Sequence, residues 1–175
     1  NGGFGKNQVS THLHNGHTPC ESDGFPCDYF PNPEIPLIAN AFFYDQYYPN
    51  VLAGFASTHI PTNGDINEAM SSLWYHDHRV DFTAQNVYKG LAGMYNLYNH
   101  LDNGDENNPN GFRLPGVPNT TTGVPDFDVN MIFTDRCFDD DGILFFDLFN
   151  LDGILGDKFL VNGKIQPTMH VHPRR

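Results

Sequence analysis

Positive charge is scarce in this 175-residue sequence, where nine Lys and Arg stand against 21 Asp and Glu for a formal charge of -12. No basic stripe is available to hold phosphates, which argues against nucleic acid and an anionic membrane surface as partners. No apolar run approaches the roughly 20 residues of a membrane span, so no membrane partner is expected. Helix-period stretches are few, and neither an internal repeat nor a low-complexity tract is present. Cysteine is rare: Cys20 and Cys27 lie in a Pro- and Gly-containing loop where a short disulfide could close, and Cys137 is left over. An odd cysteine in an exported protein points to a partner outside the chain or to a free thiol. The sequence starts at Asn1 with neither Met nor a signal peptide, as a processed or cut product would. The expected location is secreted or extracytoplasmic, an oxidising compartment. Asn119-Thr120-Thr121 is a glycosylation sequon, of a kind common by chance.

What is present is a globular composition, 39% hydrophobic with 15 Phe and 8 Tyr, sufficient for one ordinary domain and its core. With 17 Gly and 13 Pro scattered along the chain, many short strands and turns are expected, and the fold class reads as all-β. Gln8–His14, Ser72–Tyr75, Leu91–Tyr98 and Val129–Thr134 read as strands. The acidic turn Asp139–Gly142 leads to Ile143–Phe146 as a hairpin partner, and Phe159–Val161, Asn162-Gly163 and Ile165 onward form a second hairpin. A helical turn is expected at Ala84–Asn86, loops over 19–36 and 100–125, and a polar inserted loop over 51–71. The aromatic patch Phe42–Tyr44 with Tyr47 and Tyr48 reads as core packing and loop anchoring rather than a ligand platform.

Two His-x-His pairs stand out, His12-Leu13-His14 and His76-Asp77-His78. On a strand, residues two apart share a face, about 6.6 Å apart along it. With metal–nitrogen bonds of about 2 Å, such a pair can meet at one ion or serve two ions side by side. Neutral imidazole without thiolate suits copper, zinc, iron or nickel. A lone pair of this kind is ordinarily surface decoration or a satisfied half-buried couple; two in one short chain, one led in by Trp74 and Tyr75, point to metal. His170-Val171-His172 is a third pair that spacing alone does not separate from the others. His17 extends the first pair to H-x-H-x-x-H, close to the signature of dinuclear zinc hydrolases of the metallo-β-lactamase type, but Gly16 stands where that motif needs its aspartate.

Thr11-His12-Leu13-His14-Asn15-Gly16 and Leu73-Trp74-Tyr75-His76-Asp77-His78 resemble the first and second copper signatures of multicopper oxidases. Glu21–Pro26, Tyr48–Asn50, Asn86–Gly93, Thr134–Arg136 and Phe159–Lys164 fall in the order expected of the spore-coat laccase and bilirubin-oxidase-like group. The resemblance implies cupredoxin-like Greek-key β-barrels: residues 1–125 would be most of the first of three domains, without its opening strands, and 126–175 a linker and the start of the second. It implies that His12 binds the type 2 copper of a trinuclear cluster and His14, His76 and His78 the type 3 pair. Asp23 matches a family acid near the cluster that handles protons; bonding of the loop backbone beside Gly24 is the plain alternative. The Asp77 side chain would point away from the cluster, in an outer-shell or surface bond. His170 and His172 fall in a strand without copper ligands, so a structural or surface role is expected for them.

The implied reaction couples one-electron oxidation of a small phenolic, aromatic or metal-ion donor to four-electron reduction of dioxygen to water. Cys137 has no histidine neighbour, so the type 1 copper and four further ligands are expected on a missing portion. A second polypeptide carrying the remaining cupredoxin domains is the expected partner, with a cut near Arg174-Arg175. The rival reading is a non-catalytic, copper-binding cupredoxin fragment.

Overall fold

A computed structural model describes residues 8–30, 45–50, 72–99, 102–112, 114, 116 and 128–171. The expected loop over 51–71, the patch Phe42–Tyr44, the sequon at Asn119 and His172 lie outside the described residues. Among the described residues the fold is built of strands, with one short helix and one 3₁₀ turn, as the all-β reading expected.

The first sheet contains β1 (Thr11–His14), β2 (Ser72–Asp77) and β3 (Ala92–Asn96), antiparallel, with β2 in the middle. Alternation along β1 and β2 puts Leu13 and Leu73 on the inner face, each only 2% exposed. Burial of two leucines contributes about 1.5–3 kcal/mol apiece, and a register slip of one residue would turn both outward. The register is therefore fixed by the core, and it pairs His12 with His76 and His14 with Trp74 across the strands. Tyr75 lies opposite Gly93, whose missing side chain makes room for the Tyr75 ring.

β2 leads through Arg79 and a turn into α1 (Thr83–Tyr88), which contains the expected helical turn at Ala84–Asn86. The Arg79 guanidinium lies 3.9 Å from the centre of the Phe82 ring and 4.5 Å from that of Tyr29, tying the turn after β2 to the loop after β1.

The second sheet has the order β5 (Leu144–Phe145), β4 (Phe133–Phe138), β6 (Lys158–Val161), β7 (Lys164–Ile165). Both expected hairpins are present, and Asn162 and Gly163 take positive φ of 50° and 78° at the tip of the second. The strand expected over Val129–Thr134 is displaced: pairing starts at Phe133 and runs to Phe138. The reason is that β6 pairs Phe133–Arg136 while β5 pairs Cys137 and Phe138, so the ladder extends through Asp135-Arg136, which hydropathy alone reads as a break. Tyr88 joins α1 to β4, its hydroxyl accepting from the Cys137 N–H at 2.6 Å. Cys20, Cys27 and Cys137 are all free thiols, so the short disulfide considered between the first two is not formed here.

Candidate metal centre

The register of β1 and β2 gathers rings on one face of the first sheet. His12 and His14 come from β1, His76 from β2, and His78 from the residue after β2 ends. The His12 ring centre lies 5.7 Å from that of His14, 5.5 Å from His76 and 5.1 Å from His78. His14 and His76 are 5.3 Å apart, and His76 and His78 are 5.7 Å apart. His12, His14 and His76 each offer a nitrogen within 4.8 Å of the others. His78 falls outside that closer triad.

Hydrogen bonds set which nitrogens face the centre. The His12 Nδ1–H donates to the Asp23 carbonyl at 2.5 Å, and the His76 Nδ1–H donates to the Asp77 carbonyl at 2.7 Å. A carbonyl only accepts, so both rings hold their proton on Nδ1 and keep the Nε2 lone pair for a metal. His76 Nε2 approaches His14 Nδ1 to 3.0 Å. That separation suits two ligands of one ion with bonds of about 2 Å. His78 Nδ1 is buried and has no hydrogen-bond partner among the described residues. Buried polar atoms of native proteins are nearly always partnered, so an orphaned imidazole nitrogen beside three other imidazoles fits a metal centre.

Burial holds the imidazolium form of His76 below its ordinary range, and repulsion from His12, His14 and His78 adds to this, against the opposing effect of the Asp77 carbonyl. Neutral imidazole is the form that binds a metal. The unfolded chain takes up a proton at His76 near pH 6.5, where the folded chain resists it. This contribution is complete above pH 6.5 and is lost as pH falls toward the depressed folded value. The metal-free protein should therefore lose thermal stability on acidification through that window, and the slope should diminish in His76→Gln. An unchanged slope in that variant would place the proton uptake elsewhere.

Asp23 lies beside this centre. Its carbonyl holds His12, its Oδ1 accepts from the Thr18 hydroxyl at 2.7 Å, and the same oxygen is 3.4 Å from His12 Nδ1. Half of the carboxylate side chain is exposed, so one group touches both solvent and a centre imidazole. Gly24 follows at φ 74°, where any side chain would run into the Thr11 carbonyl and the His12 backbone.

Three contributions were not evident from sequence. Trp74 stacks on His76 at 4.2 Å and on His14 at 4.9 Å, forming a wall of the centre. Thr18 positions the Asp23 carboxylate. Asp77 does point away from the rings, as alternation requires, but it is buried at 3% exposure rather than on the surface. The cross-strand register would have indicated Trp74; Thr18 carries no spacing signal. His17 and His170 are exposed and stand outside the ring cluster.

Among the described residues strands predominate, and four imidazoles share one sheet face in an arrangement that could hold a metal ion. No protein-family model matches the chain. It is 30% identical to a laccase of Bacillus subtilis strain 168 over 177 residues, which cover 94% of this chain and 28% of that protein. It is 29% identical to a bilirubin oxidase of Albifimbria verrucaria over 166 residues, covering 95% of this chain and 23% of the other. Among solved structures it is similar to the 2F4 variant of the multicopper oxidase McoA from Aquifex aeolicus, with 22% identity, a TM-score of 0.49, and coverage of 89% and 26%. Along nearly its whole length the chain is thus similar to laccase-like multicopper oxidases, and it spans less than a third of the length of these relatives.

Proposed function

We propose that this chain supplies half of the ligands of a trinuclear copper cluster in a laccase-like oxidase, with His12 on the type 2 ion and His14, His76 and His78 on the type 3 pair. The observation that carries this reading is the convergence of His12, His14 and His76 within 4.8 Å, from two strands whose register the leucine core fixes. Copper held there supplies one-electron exchange and, as a cluster with dioxygen as co-substrate, oxygen reduction to water. The donors are small phenolic, aromatic or metal-ion compounds, oxidised at a type 1 copper carried by the remainder of the oxidase. The chain's own part is geometric and protonic. Its imidazoles fix the ions, its Nδ1–H bonds fix the rings, and Asp23 moves protons between solvent and the side of His12.

Residues 1–125 form most of a first cupredoxin domain and 126–175 a linker with the start of a second. The remaining ligands come from a second polypeptide with the other cupredoxin domains. Support for a covering partner comes from apolar side chains left in water, among them Phe149 at 91%, Leu151 at 99% and Leu155 at 94% exposure. The site of action is outside the reducing cytoplasm. No helix among the described residues is long and apolar enough to cross a membrane.

Two measurements test this reading. Native mass spectrometry should find the chain bound to a longer polypeptide, and the assembly should consume oxygen with a phenolic donor when loaded with copper. A free species at the 19.7 kDa of this chain, binding copper without turnover, would leave the non-catalytic copper-binding fragment as the better account. Against the zinc-hydrolase alternative stand the similarity to laccases and Gly16, which supplies no carboxylate.

A further inference from the structure

Behind the histidine face lies a second polar cluster, made of Ser10, Asp77 and Asn86. Asp77 is 3%, Ser10 2% and Asn86 1% exposed. One Asp77 oxygen accepts from the Ser10 backbone N–H at 2.8 Å, and the other accepts from the Asn86 amide at 2.9 Å. The same Asn86 amide reaches the Gln8 carbonyl at 3.2 Å, and the His78 backbone N–H donates to the Ser10 carbonyl at 2.7 Å. The strand pairing of β1 with β2 stops at Thr11 and Asp77, so these contacts continue the zipper beyond the last ladder pair. His78 lies in that continuation.

We infer that Asp77 is a positioning residue for copper: its carboxylate clamps the residue before β1 and the middle of α1 behind β2, and so fixes His76 and His78 against His12. This rests on the copper reading above, and extends it to a residue that touches no metal. The chemistry of the clamp supports the assignment. The two bonds Asp77 accepts come from a backbone amide and a side-chain amide, both neutral. Burying a carboxylate on neutral donors alone costs stability that an apolar residue would not. Asp77 stands in sequence between two candidate ligands, and its carboxylate lies on the face of β2 opposite their rings. Outer-shell partners that orient metal ligands typically set affinity by about 10- to 100-fold. Asn in place of Asp77 preserves shape, removes the charge, and turns an N–H toward the Asn86 amide that already donates.

The test is copper titration of this 175-residue chain, wild type against Asp77→Asn and Asn86→Ala. Binding is followed by quenching of Trp74, the single tryptophan, and melting of the metal-free forms is recorded in parallel. Asp77→Asn should weaken copper about 10- to 100-fold and alter the Cu(II) electron-paramagnetic spectrum, at temperatures where the metal-free chain is folded. Asn86→Ala, which leaves the charge in place, should weaken copper less. If both folded variants bind with wild-type affinity and spectrum and only melt earlier, Asp77 is a fold brace and the inference is wrong. If Asp77→Asn does not fold, Asn86→Ala decides by the same criterion. Failure of the wild-type protein to bind copper would instead overturn the underlying copper reading.

Discussion

His76→Ala should abolish oxygen reduction by the assembled oxidase, by at least about a thousandfold, on the order of 4 kcal/mol of barrier. His76 is the middle of the ring cluster, within 5.3–5.7 Å of His12, His14 and His78, and it is the most buried of the four. Its removal leaves His14 Nδ1 without the nitrogen that faces it at 3.0 Å. Any type 1 copper in the assembled oxidase should keep its colour, since that ion would be ligated elsewhere. Tryptophan emission supplies an independent readout. Trp74 stacks on both His14 and His76, so Cu(II) at the centre should quench it, and His76→Ala should relieve the quenching. His170→Ala should change neither signal, as its ring is exposed and is not one of the grouped histidines. Retained turnover in His76→Ala would refute the cluster assignment.

Gly24→Ala should be the most damaging single-atom change near the centre. The residue takes φ 74°, which costs an L side chain about 1–2 kcal/mol. The added carbon would meet the Thr11 carbonyl and come within 2.8 Å of the His12 α-carbon. Both obstacles are backbone of β1, which is held on β2 by the ladder and cannot swing aside as a flexible side chain could. The loop must therefore retreat, and with it the Asp23 carbonyl that holds His12 and the carboxylate beside it. The expected outcome is a lower melting midpoint in the metal-free protein together with weaker copper binding. A variant with wild-type copper affinity would show that the bond from Asp23 does not set the orientation of His12.

The two pairs His12/His14 and His76/His78 were legible from sequence because strand alternation converts a spacing of two into a shared face. Their convergence was not legible from spacing alone, since it depends on β1 pairing with β2 across a long stretch of chain and on the register that Leu13 and Leu73 impose. The hairpins of the second sheet were readable from Asn162-Gly163 and the Asp139–Gly142 turn, which demand particular backbone angles. The start of β4 was misplaced because Val129–Thr134 is the more apolar run, whereas the ladder follows the partners available to Phe133–Phe138. Asp77 was seen to face away from the rings, but its burial depends on Ser10 and Asn86, far apart in sequence and brought together by the fold.

The central claim is that His12, His14, His76 and His78 hold copper, and locating the metal in crystals tests it most directly. Anomalous scattering at the copper edge, from crystals of the copper-loaded protein, should give peaks about 2 Å from ring nitrogens of these four residues. The peaks should vanish or move in His76→Ala. Copper bound only at His17 or His170, or no peak beside the four rings in a protein that turns over, would contradict the account.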